Sequence, residues 1–314
     1  MTIEVRPLGE DELGEVDAIY RRAFGALHGL RDPLGFEGDA RRVACRFATD
    51  PDAALGLFAE GSLRGSGFVS RWGSVGLLGP ITVDPKEQGR GLAHPLLRGL
   101  LRLLSGREIT LRSIGVPAAD PRCVGLLQRF GFWPTGLSVL MAKEVGPAAE
   151  PAGDIEVLSG LSEDDQAEAL TACRELTESV FPGLDATGEI LALGEQGTGE
   201  TVLVREGSRV AGVAVCHAGA GSEAGTGRAA VRLAVVPSGP DGSERLRRLL
   251  GAVEAWAVSA GVDTITVGTG SGRVRAWRAL REAGWLPFLQ SVTMHQDRHP
   301  GYEREDVFLL DDWR

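Results

Sequence analysis

The stretch that most constrains this chain runs from Gly79 to Leu104, GPITVDPKEQGRGLAHPLLRGLLRLL. It predicts a strand, a tight glycine loop and a helix in immediate succession. Ile81, Thr82 and Val83 are β-branched, as strands favour. Asp84-Pro85 ends the strand, because proline cannot donate to a ladder. Gln88-Gly89-Arg90-Gly91-Leu92-Ala93 forms the loop, and leucines at 92, 96, 97, 100, 101, 103 and 104 make a helical apolar stripe. Pro95 falls in the first turn, where its missing N–H is not needed. Such a junction gathers backbone N–H groups at the positive end of a helix, a site suited to phosphate. Glycines let the ligand come close to the backbone. Two glycines alone also fit an ordinary strand–turn–helix, so the full spacing has to carry the argument. No Gly-Lys-Ser/Thr follows the loop and no G-x-G-x-x-G lies in it, so neither a Walker loop nor a dinucleotide fingerprint is present.

The same landmarks occur twice. Ile3-Glu4-Val5 recurs as Ile155-Glu156-Val157, Val83-x-Pro85 as Val235-x-Pro237, and Gly131-Phe132 as Gly284-Trp285. Three landmarks at nearly constant offset argue for a tandem repeat, expected as domains 1–145 and 154–314 joined by the Pro/Ala-rich linker 146–153. In the first copy the patterns predict strands at Ile3–Leu8, Ala54–Glu60, Leu63–Trp72, Val75–Val83, Ile109–Ser113 and Leu137–Lys143. Helices are expected at Asp11–Phe24, Asp39–Phe47 and Pro121–Phe130, besides the one after the loop. The second copy predicts strands at Thr201–Glu206, Val210–His217, Ala229–Val236, Thr264–Thr269 and Leu289–His295. Its helices are expected at Ser243–Ser259 and Arg273–Ala283. The fold class is α/β, of the α+β type with a mixed sheet, in two tandem units.

Charge narrows the partners. Residues 1–150 carry 18 basic and 18 acidic side chains, so the whole net charge of −10 lies beyond them. Only Lys86 and Lys143 are lysines, and the abundance of Arg, Gly and Ala reads as genomic base composition. Nonspecific nucleic-acid binding is not expected. No apolar run reaches membrane-spanning length, and the start, MTIEVRPLGEDELGEV, is too acidic for a secretory signal. Cys45, Cys123, Cys173 and Cys216 are far apart, which suggests neither a zinc site nor a disulfide framework. A reduced, cytoplasmic protein without a metal is the expectation.

Val83-x-Pro85-x-x-Gln88-x-x-Gly91-x-Ala93 resembles the acyl-CoA pyrophosphate loop of the GCN5-related N-acetyltransferases (GNAT), whose pattern is Q/R-x-x-G-x-G/A. The tail, ending DDWR, is similar to a group of tandem GNAT proteins with that ending. The resemblance implies two tandem GNAT domains that use acetyl-CoA as co-substrate to acetylate an amine. Ile81, Thr82 and Val83 would pair with the pantetheine arm where two strands splay apart. Gln88, Gly89, Arg90, Gly91, Leu92 and Ala93 would offer N–H groups to the pyrophosphate. His94 stands where the family often touches phosphate, although it also fits an ordinary exposed helix residue.

The halves are not equivalent. Matched from Pro237, the second loop puts Pro240, Ser243 and Arg245 where the first has Gln88, Gly91 and Ala93. Asp241 and Glu244 would repel a pyrophosphate there, so one CoA site per chain is expected, in the first half. The catalytic residues stay unassigned. The family's acid tyrosine corresponds to Leu127 and Leu280, and its asparagine to Asp120, which also fits a helix cap, and Arg273. Glu37 and Glu60 could reach a pocket but are expected on the surface, and His28 and His217 are expected to be ordinary polar residues. Tyr20 and Tyr302, the only tyrosines, lie at no matching position. Three functions remain open: acetyl transfer to a small-molecule amine, non-catalytic acyl-CoA binding or sensing, and a mycothiol-synthase-like acetyltransferase. The last is disfavoured because there the C-terminal copy is the active one. A homodimer is left open as the assembly.

Overall fold

A computed structural model describes residues 2–105, 108–146 and 155–313. Of the expected linker 146–153, all but Gly146 lies outside the described residues. The first half contributes β1 (Ile3–Pro7), α1 (Leu13–Leu27), α2 (Arg42–Thr49), β2 (Ala54–Ala59), β3 (Ser62–Trp72) and β4 (Val75–Val83). These are followed by α3 (Ala93–Leu103), β5 (Leu111–Pro117), α4 (Pro121–Gln128) and β6 (Phe132–Glu144). The second half contributes β7 (Glu156–Val157), α5 (Glu163–Val180), α6 (Thr187–Gln196), β8 (Gly199–Glu206), β9 (Arg209–Gly219) and β10 (Gly225–Val235). It closes with α7 (Gly242–Ser259), β11 (Thr264–Gly270), α8 (Val274–Glu282), β12 (Leu286–Gln296) and β13 (Leu309–Asp311).

The strands form one mixed sheet in the order β1-β2-β3-β4-β5-β12-β6-β11-β10-β9-β8-β7, with β13 added on β10. The last long strand of each half is exchanged. β12 pairs antiparallel with β5 of the first half, and β6 pairs antiparallel with β11 of the second. The order β4-β5-β12-β6-β11-β10 therefore reads alike from either end, with β4/β5 and β10/β11 as the parallel pairs. One consequence is that β6 runs longer than its apolar pattern. Pro134 and Gly136 interrupt that pattern, yet they flank a bulge where Pro134 faces Met294 and Gly136 faces Thr293.

Leucines of α3 pack on one face of the first half's sheet, with Leu96, Leu97 and Leu100 meeting Leu55, Leu57 and Leu78. On the opposite face a single core spans the seam, joining Trp72, Val75, Leu77 and Leu111 to Leu176, Ile190, Leu233 and Trp313. Set into that seam is a buried ion-pair network. Arg46 on α2 binds Glu189 on α6 at 2.9 Å and Glu223 at 2.7 Å, and Arg42 binds Glu223 at 3.0 Å. Trp72 Nε1 donates to Glu189 Oε2 at 3.0 Å, and Arg232 Nε lies 3.5 Å from Glu189 Oε1. The halves are thus tied by charge as well as by sheet and core. No helix among the described residues is long and apolar enough to cross a membrane.

Candidate active site

The parallel pairing of β4 with β5 runs only from Val75↔Leu111 to Leu78↔Ile114. Beyond it the strands part. Ile81, Thr82 and Val83 pair with β3 alone, while Gly115, Val116 and Pro117 turn to β12. The opening between them is the splay expected beside Ile81–Val83, and it leaves one edge of β4 unpaired. A strand-like ligand arm could hydrogen-bond there.

At the far end of β4 the chain makes the glycine loop. Asp84 fixes its start by accepting from Lys86 N at 3.0 Å and from Arg22 Nη2 at 2.9 Å. Gln88 Nε2 donates back to Val83 O at 3.1 Å. Gly89 and Gly91 adopt φ of +80° and +79°, the left-handed region, and a Cβ on either would meet no atom within 4 Å. The space in front of the loop is therefore open. The N-cap of α3, Leu92, has no side chain that could bond the helix's first N–H groups, so the positive end of α3 faces that space.

The splay and loop belong to a cleft of about 1780 Å³ that continues across the seam to β10, β11 and β12. It is lined by Ile81, Thr82, Val83, Gln88, Gly89, Gly91, Leu92, Ala93 and His94. Arg90 is not in the lining; its guanidinium turns to Glu87 at 2.8 Å. The His94 ring lies 5.7 Å from that of Phe130.

Several acid–base candidates acquire definite places. Asp120 is the N-cap of α4, accepting from Cys123 N at 3.3 Å, as the capping alternative expected. Cys123 Sγ also meets Asp120 at 3.0 Å, and burial followed by that bond pushes the thiol up to about 12, so it stays protonated at neutral pH. Glu37 corrects the surface expectation. It lines the cleft, accepts from Tyr20 Oη at 2.8 Å and pairs with Arg42 at 3.0 Å. The signal for it was weak, a lone carboxylate in a glycine-rich loop, and its left-handed φ of +59° comes from tertiary packing. Glu60 stays away, at the β2–β3 turn, accepting from Thr2 N. His28 lines the cleft mouth stacked on Phe36, whereas His217 is buried behind the cleft, 4.0 Å from Glu189. Leu127 and Leu280 are both core residues.

Glu189, His217 and Glu223 bring ligand atoms within 4.8 Å of one another. Arg42, Arg46 and Arg232 already surround those carboxylates, so a cation would enter beside three guanidinium groups. The set fits an internal ion-pair network and not a metal centre.

The second half builds the same opening and then fills it. β10 and β11 pair in parallel from Arg228↔Thr264 to Val231↔Val267 and then part. Into that gap runs β13, with Leu233↔Asp311, Ala234↔Leu310 and Val235↔Leu309. Phe308 continues the plug to the start of α7, where a Cβ on Gly242 would lie 2.2 Å from the Phe308 ring. Arg273, the counterpart of Asp120, holds this tail. It binds Asp311 at 2.8 Å and donates to Leu309 O at 2.6 Å. Tyr302 Oη donates to the same Asp311 at 2.8 Å. Three residues of strand carry no readable period, so the sequence predicts no element in this tail.

No sequence family model matches the chain, and no curated protein matches it. Solved structures do. Its fold is that of the GCN5-related N-acetyltransferases, as in one from Sphaerobacter thermophilus at 16% identity and TM-score 0.64, covering 95% of this chain and 96% of that one. A Pyrococcus horikoshii protein assigned as an acetyltransferase superposes at TM-score 0.71 and 14% identity over 99% and 95% of the two chains. Within that class the arrangement is the tandem one. A tandem GNAT protein of the clavulanic acid biosynthesis pathway matches at TM-score 0.58 and 14% identity, over 96% of this chain and the whole of the other.

Proposed function

We propose that the chain is an N-acetyltransferase that binds one acetyl-CoA in the first half and transfers its acetyl group to an amine of a small molecule. The observation that carries this reading is the contrast between two equivalent openings: the one between β4 and β5 is free and ends on an uncapped glycine loop, while the one between β10 and β11 is filled by β13. The pantetheine arm would bond the free edge of β4 and the pyrophosphate would meet N–H groups at Gln88–Ala93. Such charge-assisted bonds contribute about 1.5–3 kcal/mol each. In the reaction the neutral amine attacks the thioester carbonyl, a C–N bond forms, the C–S bond breaks, and the thiolate and the excess amine proton pass to solvent.

Binding is the direct test. Calorimetric titration with acetyl-CoA is expected to give one site per chain. Gly91→Glu should weaken it at least tenfold, about 1.4 kcal/mol, by filling the open space and adding a like charge. Gly91→Ala shares the strain of φ +79° without the charge and separates the two causes. Ser243→Glu, at the matched position of the plugged half, should change affinity little. Two equal sites, or wild-type binding by Gly91→Glu, would overturn the assignment. One equivalent bound without release of free CoA over a panel of amines would instead identify an acyl-CoA binder.

Turnover has its own expectation. Tyr302 is locked to Asp311 in the filled half, and the Tyr20 proton is already directed at Glu37. With leucine at both usual acid positions, kcat/KM should rise with pH in a single limb as the acceptor amine deprotonates. Tyr20→Phe should lower kcat by less than about tenfold, short of the 10²–10⁴ typical of a general acid. A larger loss with acetyl-CoA affinity intact would make Tyr20 the acid.

A further inference from the structure

The tail that fills the second opening goes on to end in the first. After β13, Asp312 N donates to Arg232 O at 3.1 Å, and Arg232 Nη1 donates to Asp312 O. The next residue, Trp313, then stands at the vertex where β4 and β5 part. Its carbonyl oxygen is 3.9 Å from the place a Cβ on Gly79 would take, and its own Cβ is 4.0 Å from that of Gly115. Gly79 and Gly115 are the first residues beyond the last parallel pair, Leu78↔Ile114. Trp313 is buried and is among the residues lining the cleft, and its indole packs 6.2 Å from the Tyr302 ring and 6.1 Å from the His295 ring. Its backbone is anchored by the pairs at Asp311 and Asp312, which fixes where the side chain leaves the chain relative to β10 and the vertex.

An arm that enters at the glycine loop and runs back along β4 brings its thioester end to this vertex. We propose, resting on the acetyl-CoA reading above, that Trp313 is the end wall of the acyl pocket and restricts the donor to a short acyl group such as acetyl. The second half would then contribute to specificity through the same segment that fills its own opening. A tryptophan side chain is largely carbon, suited to contact with a terminal methyl, and a longer chain would have to displace a ring packed near Tyr302 and His295.

Because no acceptor is needed, binding alone tests this. CoA, acetyl-CoA and hexanoyl-CoA are titrated calorimetrically into the full chain, its Trp313→Ala variant and the milder Trp313→Phe. Wild type should bind hexanoyl-CoA at least tenfold more weakly than acetyl-CoA. In Trp313→Ala that ratio should fall to within about twofold, and in Trp313→Phe it should lie between, each ratio being taken within one variant so that any common change in CoA affinity cancels. Equal binding of the two thioesters by wild type would overturn the proposal. So would an unaltered ratio in either variant. Failure of wild type to bind CoA at all is a different result, which removes the acetyl-CoA reading and this one with it. Should Trp313→Ala fail to fold, the wild-type ratio and Trp313→Phe still decide.

Discussion

Glu189→Gln is expected to destabilise the protein by about 3–5 kcal/mol, the range for breaking a buried ion pair by removing one partner. The glutamine keeps the volume but leaves Arg46 and Arg232 facing each other across the seam with one counter-charge fewer. Arg232 is already the weakest member: burial, then Arg46, depresses it to about 10. Burial by itself would raise the Glu189 pKa, but Arg46 and Arg232 outweigh it and hold the carboxyl well below its ordinary value of 4.5. A depressed carboxyl stabilises fully above its unfolded pKa and loses that contribution as pH falls through the folded one. Wild type should therefore lose stability steeply with acidification below about pH 4.5, and the variant less so, since it has no such proton to take up. Denaturant unfolding at pH 7 and at pH 4 reads both effects. A loss under about 1 kcal/mol at pH 7 would mean that the seam is held by its sheet pairing and apolar core, with little net contribution from the ion pairs.

The helix that carries Glu189 was not legible in sequence, and the reason is local. Thr187–Gln196 places Gly188 and Gly194 within ten residues, which lowers helix propensity, and packing against α2, β8 and β9 offsets it. Elements with clear local signals are legible: β4 spans Val75–Val83 and ends at its β-branched Ile81–Val83 run before Asp84-Pro85, and α3 starts at Ala93, with Pro95 in its first turn. The glycine loop was readable because two left-handed positions at fixed spacing require glycine. Strand exchange was not. β6 and β12 are similar in chemistry, and nothing in a period-two pattern states which copy of a repeat a strand will pair with. For the same reason the cleft's far wall, built from β10, β11 and β12, could not be read beside the loop, and neither could the place of Glu37.

Phe308→Ala is expected to cost about 3–5 kcal/mol, as for other buried phenylalanines cut to alanine. The ring is fully buried, it packs against Gly242 at the start of α7, and Arg275 lies 5.1 Å over it. The size of the effect follows from the site's inability to collapse, since Gly242 has no side chain to move in and the backbone is fixed by Val236 N donating to Phe308 O at 3.1 Å. The more telling outcome is what the cavity does next. It opens at a helix N-terminus equivalent to the one beside Gly91, so a tail that merely stoppers a functional groove would now admit a second acetyl-CoA. The loop there argues against that, because Pro240 lacks an N–H and Asp241 and Glu244 carry negative charge where the phosphates would lie. Leu309–Asp311 also remain paired with β10 by their backbone ladder, and the Arg273–Asp311 ion pair holds the end of that segment. Calorimetry on Phe308→Ala should accordingly still give one equivalent per chain despite the lower unfolding midpoint. A second equivalent would show that the tail of the second half is a removable stopper and that its loop still recognises CoA.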